Sequence, residues 1–514
     1  MKIRRTPVPV GHLLIGFLAL CALPFHVNAG SRDDTLVVAL SKPLTTVDRL
    51  YSIQREGLIL SQLTDDGLFI VDPQSLEFVP LAASAYEWVS DTRLEVSLRD
   101  NVMFHDGSHL TAADVVYTYE WMLNTESDTS QGPVIRSWLE SVEKTGPGTV
   151  RFNLKRPYPM ALRDMAISVP LRKQGTYDAV NVDADRLLLN GIGPYQVTGF
   201  RAGREIMLER FEGYYQDSPK ANPAIRYMRF RVIPDEGTQQ AELLSGGIDV
   251  MMDVPPDVAD NVSVLPGVKR LEGNDIRIGY ITLDAAGYAD PESPFRDQRV
   301  RQAINHAINR DEISRYLVRG SAEVIDFACH PRQFGCDADG PRYDYDPEAA
   351  KRLLAEAGYP NGFSFNLWAY REKLIAEAVV NNLKAVGLNV NLRYVKLNVF
   401  SKVRNDKDMQ AFFASYGSGG TADASASAGV HFSAGSARNY SGDEDVANLL
   451  GAAEQTIDSA ERQRLYSQAL NRIAEQAYWV PMFSYSQNFL LTPELEFSVP
   501  EDGVPRFWQA SWSQ

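Results

Sequence analysis

The chain has 514 residues, 44% of them hydrophobic and 23% charged. That mix excludes a disordered or fibrous chain, and the length gives room for more than one lobe. The formal charge is −15, and loss of the three basic residues Lys2, Arg4 and Arg5 with an N-terminal leader lowers it to −18, an acidic balance that argues against nucleic acid or an anionic membrane surface as partner.

The chain opens on those basic residues, then an apolar run from Leu13 to Leu23, a break at Pro24 and small residues up to Ala29. This is the pattern of a signal peptide over residues 1–29, cleaved after Ala29. The run is too short to span a bilayer comfortably. Lipid attachment at Cys21 wants a small residue before it, and Leu20 is not small, so a soluble exported protein is expected rather than a lipoprotein. Beyond the leader, "TLVVAL", "RLEVSLR" and "TVRFNLK" read as strands, and the region 72–156 is rich in hairpin-like strands. Within it "TAADVVYTYEWML" reads as a helix capped by Thr111, and "NTESDTSQG", 124–132, as an exposed loop. "EIMLERF" and "IRYMRFRVI" are further strands, and "DQRVRQAINHAINRDEI" reads as one helix with Val300, Ala303, Ile304, Ala307 and Ile308 on its buried face. "DPEAAKRLLAEAGYP" predicts a helix with Asp346 as cap, Pro347 in the first turn and Gly358 as stop. Strands "FSFNLWAY" and "NVNLRYV", a buried strand at "MQAFFA", and helices over about 372–386 and 461–477 complete the second half. Strands alternating with helices there give an α/β class with parallel or mixed sheets.

Two cysteines follow the leader, Cys329 and Cys336 in "ACHPRQFGC". In an oxidising compartment they are expected to form a local disulfide; free thiols or a metal pair with His330 are the alternatives. No nucleophile elbow, phosphate-binding loop or dinucleotide fingerprint is present. His105 and His109 have zinc-helix spacing, but Asp106-Gly107 between them signals a turn. No catalytic residue, metal or cofactor is therefore assigned. The stretch "SYGSGGTADASASAG", 415–429, is almost all small residues and follows a buried strand.

"LRDNVMFHDGSHLTAADVVYTYEWML" resembles the signature of the peptide- and nickel-type extracytoplasmic solute-binding proteins, roughly L-R-x-x-V-x-F-H-D-G-x-x-L-T-A-x-D-V-x-x-[ST], matching nearly every position from Leu98 to Thr118. "GIGPYQV", "PFRDQRVRQAINHAINRDEI" and "YDPEAAKRLLAEAGYPNGF" resemble three further segments of that family, in the same order. Physically, the first is a turn feeding a helix and the last two are core helices, so they diagnose the scaffold rather than ligand contacts. The resemblance implies a two-lobed periplasmic binding fold with a hinge and an inserted domain: domain I over 30–70, 188–270 and 488–514, domain II over 71–187, and domain III over 271–487. Closure of such lobes excludes water and strengthens polar contacts to a charged ligand. It further implies a non-catalytic monomer that delivers a short peptide or peptide-like solute to the permease subunits of an ABC importer. An opine-type conjugate or a nickel-chelate is the alternative ligand, and a secreted hydrolase the distant alternative function.

The same resemblance implies site residues. Arg371, after "FSFNLWAY", stands where family members hold a peptide carboxylate, and arginine offers a planar fork for it. The acid that holds the amine belongs to a W-x-x-D pattern; here Tyr416 stands for the Trp and Gly419 for the Asp. "GSGGTADASA", beginning at Gly417 and Ser418, resembles a variant in which Asp423 takes that role. Tyr51, Gln54 and Tyr485 are supporting candidates; Trp368 and Trp479 read as core.

Overall fold

The computed structural model describes residues 33–44, 46–178 and 190–513. The leader, its cleavage site after Ala29 and the expected boundary between 187 and 188 lie outside them. Among the described residues no helix is long and apolar enough to cross a membrane.

A ten-stranded mixed sheet organises the molecule. In spatial order it runs Asn389–Tyr394, Ser364–Ala369, Ala411–Gly417, Lys269–Leu283, Trp479–Leu491, Val250–Met251, Thr35–Leu40, Tyr227–Val232, Glu205–Arg210 and Tyr195–Arg201. Two strands are much longer than the rest, Lys269–Leu283 with 15 residues and Trp479–Leu491 with 13. They pair antiparallel along their length, with register breaks between Asp275 and Ile278 and between Gly279 and Tyr280. Past the first break the Lys269–Leu283 strand gains Ala411–Gly417 as a second neighbour. At the far end Trp479–Leu491 pairs with Val250–Met251. The sheet is thus two half-sheets sharing two long strands.

Alternating side chains make these strands buried on both faces. Leu36, Val38 and Leu40 enter one apolar cluster, and Val37 and Ala39 the opposite one. Ile281 and Leu283 pack on one face of the other half-sheet, Ile278 and Tyr280 on the other. A separate four-stranded antiparallel sheet, Ala83–Ser90, Arg93–Leu98, Thr149–Leu154 and Leu139–Gly146 in spatial order, packs its own core against helix Ala112–Leu123. It lies inside the hairpin-rich region read from the sequence.

The helix signals hold locally. Thr111 N donates to Asp114 Oδ2 at 2.8 Å in a capping box. Asp346 caps Pro347–Glu356 through Ala349 N at 2.8 Å, and Gly358 follows at φ +94°. The "FHDG" turn supports "GIGPY": His105 Nε2 lies 3.0 Å from the Gly193 carbonyl, and His105 N donates to the Gly191 carbonyl at 2.9 Å. Gly193 has no alternative there, since a Cβ would lie 2.4 Å from the Leu63 carbonyl. Two expectations need correction. The single helix over 297–313 stops at Ala307 and restarts at Arg310, because Asn309 caps the second piece through Glu312 N. The 124–132 segment is no free loop: Ser127 and Thr129 are buried, and Ser130 N donates to the Leu50 carbonyl at 2.8 Å.

Cys329 and Cys336 are disulfide-bonded, as the sequence led one to expect. The loop they close braces the small-residue stretch: Gln333 Nε2 donates to the Thr421 carbonyl at 3.0 Å, Phe334 N to the Ala422 carbonyl at 3.0 Å, and Ala424 N returns to the Phe334 carbonyl at 2.9 Å. So short a loop is expected to contribute about 2 kcal/mol. The Cys329→Ser/Cys336→Ser double variant should lose that much in urea denaturation, and an unchanged midpoint would show that the loop is held by its hydrogen bonds alone.

Candidate functional site

A cavity of about 660 Å³ opens where the two half-sheets diverge. The long strands supply Asp275, Arg277 and Tyr485 just at the first register break. Arg371, at the end of Ser364–Ala369, and Gly417, at the end of Ala411–Gly417, add the neighbouring wall. Facing them are Arg49 and Gln54, from the segment joining strand Thr35–Leu40 to helix Arg55–Thr64, and Glu56, from the first turn of that helix. Arg163 and Gln131 reach in from the part that carries the four-stranded sheet, and Asp253 and Asp502 complete the ring of charge.

Most of these charges are already paired. Arg55 grips Asp253 with Nη1 at 2.7 and 3.0 Å from its two oxygens. Arg163 Nη1 lies 2.8 Å from Asp164, and its Nε donates to Thr421 Oγ1 at 3.0 Å, linking the part around the four-stranded sheet to the small-residue stretch. Arg371 Nε lies 2.7 Å from Glu372 Oε1. Burial raises the Glu372 carboxyl above its ordinary value, against the pull of Arg371. This answers what balances a cation at a helix N-terminus: its own neighbour, held at φ +46°. Asp275 is likewise raised by burial, with Arg277 and Arg55 opposing. Arg277 Nε stands 3.7 Å from Asp275 and has no hydrogen-bond partner.

The structure brings together Arg371, Gly417, Gln54 and Tyr485 of the residues expected from the sequence. The Tyr485 hydroxyl is buried beside Glu372, and burial raises it well above its ordinary value. Gly419 and Gly420 line the cavity too, at φ +62° and +81°; a Cβ on Gly419 would meet nothing within 4 Å. The small-residue stretch therefore presents backbone to the space.

Four expected residues turn away. Asp423 is 3% exposed; it is bound to Arg462 at 2.8 Å, accepts from Tyr466 Oη at 3.2 Å, and caps a short turn through Ser425 N at 2.9 Å. Its capacity is used inside the core, so the amine role expected for it does not fit its surroundings. Ser418 closes the glycine turn by donating to the Thr421 carbonyl at 2.9 Å. Tyr416 packs edge-on to His431 and lies under Arg438. Tyr51 accepts from Trp121 Nε1 at 2.9 Å and stands edge-on to Tyr177, away from the cavity lining. Sequence reasoning missed Arg49, Glu56, Asp275, Arg277 and Arg163. The first two lie within five residues of Tyr51 and Gln54, and that nearness along the chain was the available signal.

Comparison with known proteins adds four findings. The model of the bacterial extracellular solute-binding proteins, family 5, matches residues 77–439. The chain is 26% identical over 442 residues to the oligopeptide-binding protein AppA of Bacillus subtilis, covering 79% of each. It is 25% identical over 494 residues to the glutathione-binding protein GsiB of Salmonella typhi, covering 90% of this chain and 93% of that one. Among solved structures, HbpA2 from Haemophilus parasuis superposes with a TM-score of 0.81 at 23% identity, over 93% of this chain and 100% of that one; at that identity the likeness speaks for the fold.

Proposed function

Because the chain belongs to family 5 of the bacterial extracellular solute-binding proteins, we propose that it captures a short peptide or peptide-like zwitterion in this cavity and delivers it to the membrane subunits of an ABC importer. The single observation that carries the ligand class is a cavity whose walls hold both arginines and carboxylates. A volume of 660 Å³ falls within the ~300–1,000 Å³ of small-ligand sites. The names of the similar AppA and GsiB chains agree with that class. A chelated metal fits less well, because carboxylates as well as arginines face the space. In this reading the leader is removed at export and the protein works in the periplasm. Domains I, II and III are divided as read from the sequence, and no chemistry is performed on the solute.

Native mass spectrometry of freshly purified protein tests the reading. Adducts with di- to pentapeptide masses are expected; one non-peptide mass, lost on denaturation, would end it. Arg371 serves as a carboxylate anchor here. Arg371→Ala is expected to weaken carboxylate ligands at least tenfold by titration calorimetry, and unchanged affinity would remove Arg371 from the site.

A further inference from the structure

Arg49 is the anomaly of the cavity wall. It is 5% exposed. Its Nη1 donates to the Ser52 carbonyl, and its Nε is buried without a partner. No carboxylate forms an ion pair with it among the described residues; burial, then the nearby Arg163 cation, pull its pKa down to about 10. The other arginines of the wall each have a carboxylate within 4 Å, and Lys42 is exposed. Glu56 is the acidic counterpart, 7% exposed, with Oε2 buried and unpartnered. Both belong to the short segment before and at the start of helix Arg55–Thr64. That segment is fixed where Asp48 accepts from Leu50 N at 3.0 Å and from the buried Arg172 at 2.9 Å. A buried charge without a counter-ion is costly, and such a cost persists at sites where a ligand supplies the missing partner.

We propose that Arg49 is a second carboxylate anchor, so that the cavity is built for a peptide-like solute with two acid groups and one ammonium: Arg49 and Arg371 each hold a carboxylate, and Glu56 holds the ammonium. This rests on the peptide-like reading above and narrows it. The arginine fork accepts a carboxylate through two parallel hydrogen bonds, and Arg163 beside it strengthens the local field for an anion.

The test uses the mature chain, freed of ligand by dialysis from denaturant with its disulfide intact, and two probes of equal residue number: glutathione, with two carboxylates, and trialanine, with one. Wild type is expected to bind glutathione at least tenfold tighter than trialanine by calorimetry. Arg49→Met should bring that ratio below threefold, with the loss of affinity falling on glutathione more than on trialanine, and should raise the melting temperature of the ligand-free protein, because an uncompensated buried charge is gone. Arg49→Lys, which keeps the charge and tests against a folding defect, should retain part of the ratio. Equal binding of the two probes by wild type, or an unchanged ratio in Arg49→Met, overturns the proposal and leaves the peptide-like reading standing. Failure of wild type to bind either probe, with no peptide mass in the native spectrum, overturns both.

Discussion

Asp423→Ala is expected to lose about 3–5 kcal/mol of stability in chemical denaturation, while the folded protein keeps its ligand affinity within threefold. The carboxylate is the counter-ion of Arg462, itself 7% exposed and lying over the rings of Phe334 and Tyr466 at 5.1 and 5.2 Å. Truncation leaves that guanidinium buried without its anion and frees the Ser425 amide. Asp423→Asn should fall between, since the amide oxygen can still accept from Ser425 N while the charge is lost. A variant of native stability with tenfold weaker peptide binding would return Asp423 to the amine role.

A loss of similar size, about 3–5 kcal/mol, is expected for Arg172→Met. Arg172 is 1% exposed and joins two carboxylates, Asp48 at 2.9 Å and Asp65 through Nη1. Its backbone N–H donates to Thr118 Oγ1 at 2.9 Å, and Tyr177 Oη donates to Asp48 Oδ2 at 2.7 Å. Removing the guanidinium leaves two buried anions facing each other. Protonation of either one in the folded variant would relieve the repulsion, so the folded state takes up protons that the unfolded state does not. Stability then rises as pH falls, and the deficit against wild type should be smaller at pH 5 than at pH 8. Because Asp48 also holds the turn that carries Arg49, weaker binding of a two-carboxylate ligand should accompany the loss. A pH-independent deficit below 1 kcal/mol would mean that water reaches the carboxylates.

Local signals were legible where one short segment decides its own structure. Asp346, Pro347 and Gly358 define their helix without help from elsewhere; the apolar run "TLVVAL" becomes a strand buried on both faces, and the alternation of "FSFNLWAY" a strand buried on one. The two longest strands escaped the same reading. "KRLEGNDIRIGYITL" carries Gly273, Asn274 and Asp275 in its middle, and "WVPMFSYSQNFLL" carries Pro481; such residues argue against a central strand. The register breaks at Asp275/Ile278 and Gly279/Tyr280 accommodate them. The site was half legible. Arg371 and Tyr485 follow from position along the chain, whereas the fate of Asp423 depends on Arg462, 39 residues away on helix Ser459–Glu475, and no local pattern announces that pairing.

The register break in the long strands has one more consequence. Asp275 pairs with Tyr485 on one side of it, and Arg277 with Gly417 on the other, and all four face the cavity. The residues that would touch a solute thus sit where the shared strands lose their register. If capture of a solute moves the two halves about this break, occupancy and molecular shape become a single thermodynamic variable, and a solute lacking one charge would leave the halves resting at a different angle. A membrane receptor that feels only the outer contour could then refuse the wrong cargo without ever touching it.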